Sequence, residues 1–146
     1  MEERLLGIVD SSLQRCTREP RFFDRFYERF LAASPKVRER FAQTNFVRQK
    51  RALRGSLWMM LLAAEDEVHG PERYLAPLAE QHGTHQLGIG AELYDLWLDS
   101  LLATVKEVDA SWSPAVEHAW ESVMTVGIAY LVSRYNQPLG GQASTD

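Results

Sequence analysis

Apolar residues at helical spacing run through nearly the whole chain, and this pattern constrains the fold more than any other feature. The clearest example is the segment 22–31, where four phenylalanines, a tyrosine and a leucine share one stripe and charged residues fill the opposite face. No segment shows the alternation that is typical of a strand. The sequence therefore predicts an all-α fold of six or seven helices, and a length of 146 residues fits one domain.

Capping residues, prolines and glycines divide the chain into elements. Ser34-Pro35 and Ser113-Pro114 each pair an N-cap residue with a proline that suits the first helical turn. We expect residues 1–136 to form the domain and residues 137–146 to be a flexible tail. The predicted helices cover residues 3–16, 20–33, 36–41, 46–65, about 71–82, 91–107 and a last stretch that opens at 114.

Composition narrows the classes of partner. A net charge of −4 argues against non-specific nucleic-acid binding, and the longest apolar run, residues 57–64, is too short to span a bilayer. The chain begins without a signal-peptide pattern. Cys16 is the one cysteine, so an internal disulfide is excluded and a reducing compartment is the default. We therefore expect a cytoplasmic protein with neither nucleic acid nor membrane as partner.

The predicted helix 71–82 ends in a histidine. His82 falls one turn beyond Leu78 on the same face, and Gly83 then allows the helix to stop. A neutral imidazole that points into a core is a ready ligand for a metal or a haem iron. It is equally well explained as a core histidine that is bonded to a backbone carbonyl. The residues alone leave both interpretations open.

Two further polar groups stand on apolar stripes. Tyr27 would bury its hydroxyl among phenylalanines, and Gln49 lies one turn before Leu53 on the inward face of its helix. Each could simply bond to a nearby carbonyl or to water. Each could instead donate a hydrogen bond into a pocket.

Four motifs, in this order, resemble the globin family over residues 3–135. Residues 75–82, Leu-Ala-Pro-Leu-Ala-Glu-Gln-His, resemble the proximal helix of myoglobin-like chains. Residues 26–41, with Phe-Tyr followed by Pro-x-Val-Arg-x-x-Phe, are similar to the second and third helices of bacterial single-domain haemoglobins. Residues 49–53 resemble the start of their distal helix, and Ala119-Trp120 resembles a pair in their last helix. The resemblance implies a globin fold, a three-on-three helical sandwich around haem b.

The resemblance also implies residue roles. His82 would be the iron ligand; His85 is the alternative, but the preceding Leu-x-Pro-Leu-Ala register favours His82. Tyr27 and Gln49 would face the sixth iron position as the distal pair, and their neighbours Arg48 and Arg51 would lie at the distal mouth or reach a haem propionate. The other residues implied to contact haem are Phe41, Leu53, Leu57, Ile89 and Tyr94.

The activity implied by the resemblance is reversible binding of O2, NO and CO, with O2 held tightly by two hydrogen-bond donors. Conversion of NO to nitrate would need a separate reductase, because the chain ends without a flavin or nicotinamide domain; weak peroxidase activity is common to open haem sites. The protein would be a monomer or a homodimer. Two alternatives are a single-domain gas or redox sensor that signals to a partner in trans, and a haem-free interaction domain in which His82 is only packed.

Overall fold

A computed structural model of the chain describes residues 1–81 and 90–135, and over these ranges it contains seven helices and no strand. The predicted all-α class is therefore confirmed. The predicted helix end at Gly83 and the predicted tail at 137–146 lie outside the described residues. The helices are α1 (Glu3–Thr17), α2 (Phe22–Ala33), α3 (Pro35–Arg40), α4 (Phe46–Glu65), α5 (Gly70–Gln81), α6 (Ala91–Val108) and α7 (Pro114–Tyr135).

Helix ends follow the capping signals closely. The Ser34 hydroxyl accepts from the Lys36 N–H, and the Asn45 side chain accepts from the Arg48 N–H at the start of α4. The second helix begins at Phe22, two residues later than predicted, because residues 19–22 form a turn that the Phe22 N–H closes on the Glu19 carbonyl. The third helix runs from 35 to 40, one residue earlier than predicted at each end.

The helices form two layers. One layer contains α1, α4 and α5, and the other contains α2, α6 and α7, while the short α3 packs on α2. Helix α7 contacts α1, α4 and α5 across the layers and α6 beside it. This is the three-on-three arrangement that the resemblance implied. None of the described helices is both long enough and apolar enough to cross a membrane.

Helix α7 runs through the centre of the core. Trp120, Val123 and Met124 are fully buried, as their spacing predicted. Gly127 lies where α7 crosses the other layer: a Cβ built there would be 2.7 Å from the Met60 Cε and 3.3 Å from a Leu75 methyl. The absence of a side chain at this position therefore lets α7 approach both α4 and α5 closely.

A buried carboxylate joins α1 to the loop between α6 and α7. Asp109 accepts from the Ser12 hydroxyl (2.6 Å), from two nitrogens of Arg15 (2.6 and 2.9 Å) and from the Ser111 N–H (2.8 Å). The Trp120 indole N–H donates to the Ser12 oxygen at 2.8 Å and brings α7 into the same network. Burial acts to raise the pKa of Asp109, but the hydrogen bonds from Arg15, Ser12 and Ser111 outweigh it and hold that pKa below its usual value.

We expect Asp109→Asn to lower the free energy of unfolding at pH 7 by about 1.5–3 kcal/mol, the range for hydrogen bonds to a charged group. A depressed folded-state pKa stabilises the fold only while the carboxyl is ionised. The contribution is therefore present above about pH 4 and is lost as the pH falls through the lower folded-state value. Urea titrations at a series of pH values would measure the free energy of unfolding of wild type and variant. The difference between the two free energies should become smaller as the pH falls.

The matched control is Asp99→Asn, because Asp99 is an exposed acid on α6. This change should leave stability within about 0.5 kcal/mol of wild type, as is usual for surface positions. A pH-independent difference for Asp109→Asn would contradict the role given to its ionised form.

Candidate functional site

A cavity of about 460 Å³ lies between the two layers. Its size is within the range of sites that hold small molecules and cofactors. The described residues that line it come from α2, Phe41, α4, α5, α6 and α7, and most of them are aromatic or aliphatic. They are Tyr27, Phe30, Phe41, Gln49, Ala52, Leu53, Gly55, Ser56, Met59, Met60, Tyr74, Pro77, Leu78, Leu93, Tyr94, Trp97 and Leu131.

The Tyr27 ring is held on three sides by other rings. Its centroid is 4.9 Å from that of Phe26, 5.3 Å from that of Phe46 and 6.2 Å from that of Phe41, and all three pairs meet edge to face. The side chain belongs to α2, whose aromatic stripe turns it inward, and only 4% of the residue is exposed. The ring position is therefore fixed by packing from α2 itself, from the end of α3 and from the start of α4.

The structure brings Tyr27 and Gln49, the two residues that the resemblance assigned to the distal side, to the same cavity. Burial raises the pKa of Tyr27 to about 12, and the hydrogen bond with the Gln49 side chain acts in the opposite direction. The phenol is therefore protonated at neutral pH and can donate. Gln49 is partly buried in the first turn of α4, which Asn45 caps, and it lines the same cavity.

One face of α4 forms a wall of the cavity. Gln49, Leu53, Ser56 and Met60 recur at the three- and four-residue spacing of a helix and all line it. Leu57 was predicted to share this wall. It is fully buried in the core and is not among the described residues that line the cavity.

The opposite wall comes from α5 and α6. Tyr74, Pro77 and Leu78 line it from α5. Tyr94, one of the residues that the resemblance assigned to the haem site, lines it from α6. Burial raises the pKa of Tyr94, so that its hydroxyl also stays protonated. Helix α5 is described as far as Gln81, and the lining residue Leu78 lies one helical turn before position 82.

Three sequence-predicted positions lie outside the described residues: His82, the alternative ligand His85, and Ile89. Among the residues described on either side of that gap, no cluster of three metal-binding side chains occurs. A haem iron does not require one, because the porphyrin supplies four ligands and the protein supplies a single axial side chain.

The described lining suits a flat, largely apolar cofactor. Phe41 and Leu53 line the cavity from the α3–α4 side, and Tyr94 and Trp97 line it from α6. Polar side chains are a minority of the lining and include Tyr27, Gln49 and Tyr94, the pattern expected where a few groups orient a ligand inside an apolar site. These residues fit a haem.

Sequence reasoning did not assign a site role to several lining residues. Trp97 was predicted to point inward, but not to the cavity, and Phe46 was not singled out although it packs on Tyr27. The helical spacing 49, 52, 53, 56, 59, 60 along α4 was a signal for the wall as a whole. The contact of Phe46 depends on the path of residues 42–45, which no periodicity predicts.

Comparison with known proteins agrees with this arrangement. The globin family matches residues 24–131 of the chain. The chain is similar to the crystal structure of protein PA3967 from Pseudomonas aeruginosa PAO1, which is described as structurally highly homologous to a human hemoglobin. The two share 38% sequence identity with a TM-score of 0.83, over 90% of this chain and 98% of that one.

No curated protein sequence matches the chain. The family match nevertheless covers well over half of the residues, and the structural match extends over nearly all of them. Together with the two-layer fold and the apolar cavity between the layers, these matches show that the chain belongs to the globin family.

Proposed function

We propose that this globin binds haem b through His82 and reversibly binds O2, NO and CO on the side that Tyr27 and Gln49 face. The observation that carries the proposal is the pairing of a protonated phenol with an amide inside a mainly apolar cavity. A haem held there would supply an iron with one coordination position open to a diatomic gas. Membership of the globin family supports haem and gas binding in general.

The distal pair explains why O2 would be held tightly. Tyr27 donates an O–H and Gln49 donates an N–H. Each hydrogen bond to an acceptor that carries negative charge contributes about 1.5–3 kcal/mol. Bound O2 would carry more negative charge than bound CO. Hydrogen bonds from Tyr27 and Gln49 would therefore favour O2 over CO.

The walls of the cavity would protect the bound gas. Leu53 and Phe30 are almost fully buried beside Tyr27, and the lining around them is mainly aliphatic and aromatic. Water that is excluded from this region cannot compete for the Tyr27 and Gln49 donors. Low polarity also strengthens the hydrogen bonds that do form.

Turnover of NO to nitrate would follow only if electrons are supplied by a separate reductase. Gas binding needs no such reductase, and we propose it as the primary role. The lack of a second cysteine to pair with the buried Cys16 supports a reducing compartment such as the cytoplasm.

Replacement of His82 by alanine should abolish the native haem spectrum. The variant should load haemin weakly, and its ferrous and carbonyl spectra should differ from those of wild type, because the axial imidazole is lost. Titration of apoprotein with haemin, followed by absorption in the Soret region, measures both effects.

The matched control is His85→Ala, three residues further along. It should leave haem affinity and spectra unchanged if His82 is the ligand. The opposite result would move the ligand to His85, and a wild-type protein that takes up no haemin would end the proposal.

Replacement of Tyr27 by phenylalanine should raise the O2 dissociation rate about 10- to 100-fold, because one hydrogen bond of about 1.5–3 kcal/mol is lost and each factor of ten corresponds to about 1.4 kcal/mol. The CO dissociation rate should change much less. Stopped-flow displacement of each gas measures the two rates.

Tyr74→Phe is the matched control, since Tyr74 is a second tyrosine that lines the cavity, from α5. Its O2 dissociation rate should stay within a factor of two or so of wild type, the scale of a change that removes no ligand contact. An unchanged rate for Tyr27→Phe would exclude Tyr27 as the donor.

A further inference from the structure

The positive charge of the chain is concentrated in one short segment. Residues 36–54 contain seven lysines and arginines but one acid, Glu39, whereas the whole chain has a net charge of −4. The basic surface, as we call these seven side chains, comprises Lys36, Arg38, Arg40, Arg48, Lys50, Arg51 and Arg54. It extends over α3, the following link and the first half of α4.

Most of this charge is open to solvent and is not neutralised by carboxylates. Lys50 forms an ion pair with Asp24. Arg38 donates to the Leu31 carbonyl and Arg54 stacks over the Phe23 ring, and neither contact cancels a charge. The other four side chains are exposed and form no ion pair with any residue in the two described ranges; they are Lys36, Arg40, Arg48 and Arg51. The segment 82–89 contains no acid that could offset them.

The basic surface borders the mouth of the cavity. Ala52, Gly55 and Met59 line the cavity and are also exposed, so the cavity opens to solvent along α4. Arg48 and Arg51 lie within one helical turn of Ala52 on this helix. Two large apolar side chains, Val47 (71% exposed) and Met59 (42% exposed), are uncovered on the same helix.

We propose that this basic surface docks a small acidic electron-transfer protein at the cavity mouth. The inference rests on the proposed function, because the electron is destined for the haem. A cluster of exposed cations on the same helix as two exposed apolar side chains suits a brief encounter, in which complementary charge steers association and little area is buried. Because the basic surface lies beside the cavity mouth, a partner that binds it would hold its redox centre near the haem.

Charge distribution favours a compact acidic protein over a long polyanion. The residues outside 36–54 have a strong net negative charge, which repels nucleic acid or a wide anionic surface wherever it extends past the cluster. Screening over about 8 Å at physiological salt confines the attraction to a partner that contacts the basic surface itself.

The transfer itself is balanced in electrons. One electron passes from the partner's reduced flavin or iron–sulphur centre, which is thereby oxidised, to the ferric haem iron, which becomes ferrous. No covalent bond forms or breaks, and no proton has to move in this step. The reductant is thus the acidic partner.

A reduced, acidic [2Fe–2S] ferredoxin of the plant type is a suitable probe, since its low reduction potential provides ample driving force. Calorimetry with the oxidised ferredoxin and the haem-loaded globin measures docking without turnover. Stopped-flow mixing with the reduced ferredoxin measures the second-order rate constant. At about 20 mM salt, Arg48→Glu/Arg51→Glu should lower both the affinity and the rate constant at least tenfold or so. The differences should largely vanish at about 500 mM salt.

The matched control is Arg4→Glu/Arg73→Glu, which makes the same change in net charge at exposed positions in the first turns of α1 and α5. It should change the ferredoxin affinity and the second-order rate constant less than about twofold if local charge, rather than net charge, steers the encounter. An equal effect of the two double variants would overturn the proposal.

Other outcomes also contradict it. If wild type does not bind ferredoxin at low salt, the basic surface does not dock such a protein. If Arg48→Glu/Arg51→Glu weakens haem retention but not ferredoxin affinity, the two arginines hold the cofactor instead. If the same variant loses binding to vesicles of phosphatidylcholine and phosphatidylserine or to duplex DNA, and ferredoxin does not bind, the occupant is a membrane or a nucleic acid.

Failure of the docking proposal is distinguishable from failure of the proposed function. A protein that takes up no haemin refutes the function, and calorimetry with ferredoxin still reports on docking. A haem-loaded protein that binds O2 but not ferredoxin refutes docking alone.

Discussion

The packing of aromatic rings around Tyr27 is the interaction on which the cavity depends. Phe26 contacts Tyr27 on one side and Trp97 of α6 on the other, while Phe41 and Phe46 contact Tyr27 from the α3–α4 link. The cluster thus joins α2, α6 and the start of α4. Because three rings contact the Tyr27 ring edge to face, the phenol is held in the cavity that Gln49 also lines. A less tightly packed core would bury the same apolar area but would not hold the Tyr27 hydroxyl in one position.

The helices and their inward faces could be predicted because the information is local. Stripes such as Phe22 to Leu31 specify a buried face through spacing alone, and caps such as Ser34 and Asn45 specify where a helix begins. The cavity was less predictable, since it arises where six segments meet. Phe41, Leu53 and Tyr94 line it as predicted, whereas Leu57 is buried in the core behind the wall. Leu53 and Leu57 are four residues apart and differ by about 40° around α4, so the packing partner decides between these two positions.

The pairing of Tyr27 with Gln49 shows where a resemblance adds to residue-level reasoning. From spacing alone each side chain had two interpretations, and nothing local related a residue of α2 to one of α4. The short link 42–45 sets that relation. It brings Phe46 against Tyr27, and Gln49 follows three residues later on the same turn of α4. The roles of all the site residues stay predictions that rest on the resemblance, and His82 and Ile89 also lie outside the described residues.

The net charge of the whole chain does not reveal how charge is distributed along it. A net charge of −4 describes the chain as mildly acidic, yet residues 36–54 contain seven cations and one acid, and screening limits their field to nearby surface. The same half of α4 therefore has two functions in our interpretation. Its inner face presents Gln49 to the cavity, and its outer face presents Arg48 and Arg51 to solvent. Gln49, Arg48 and Arg51 all lie in the first two turns of α4, next to its Asn45 cap. The proposed gas site and the proposed docking site would therefore both depend on where this end of α4 lies.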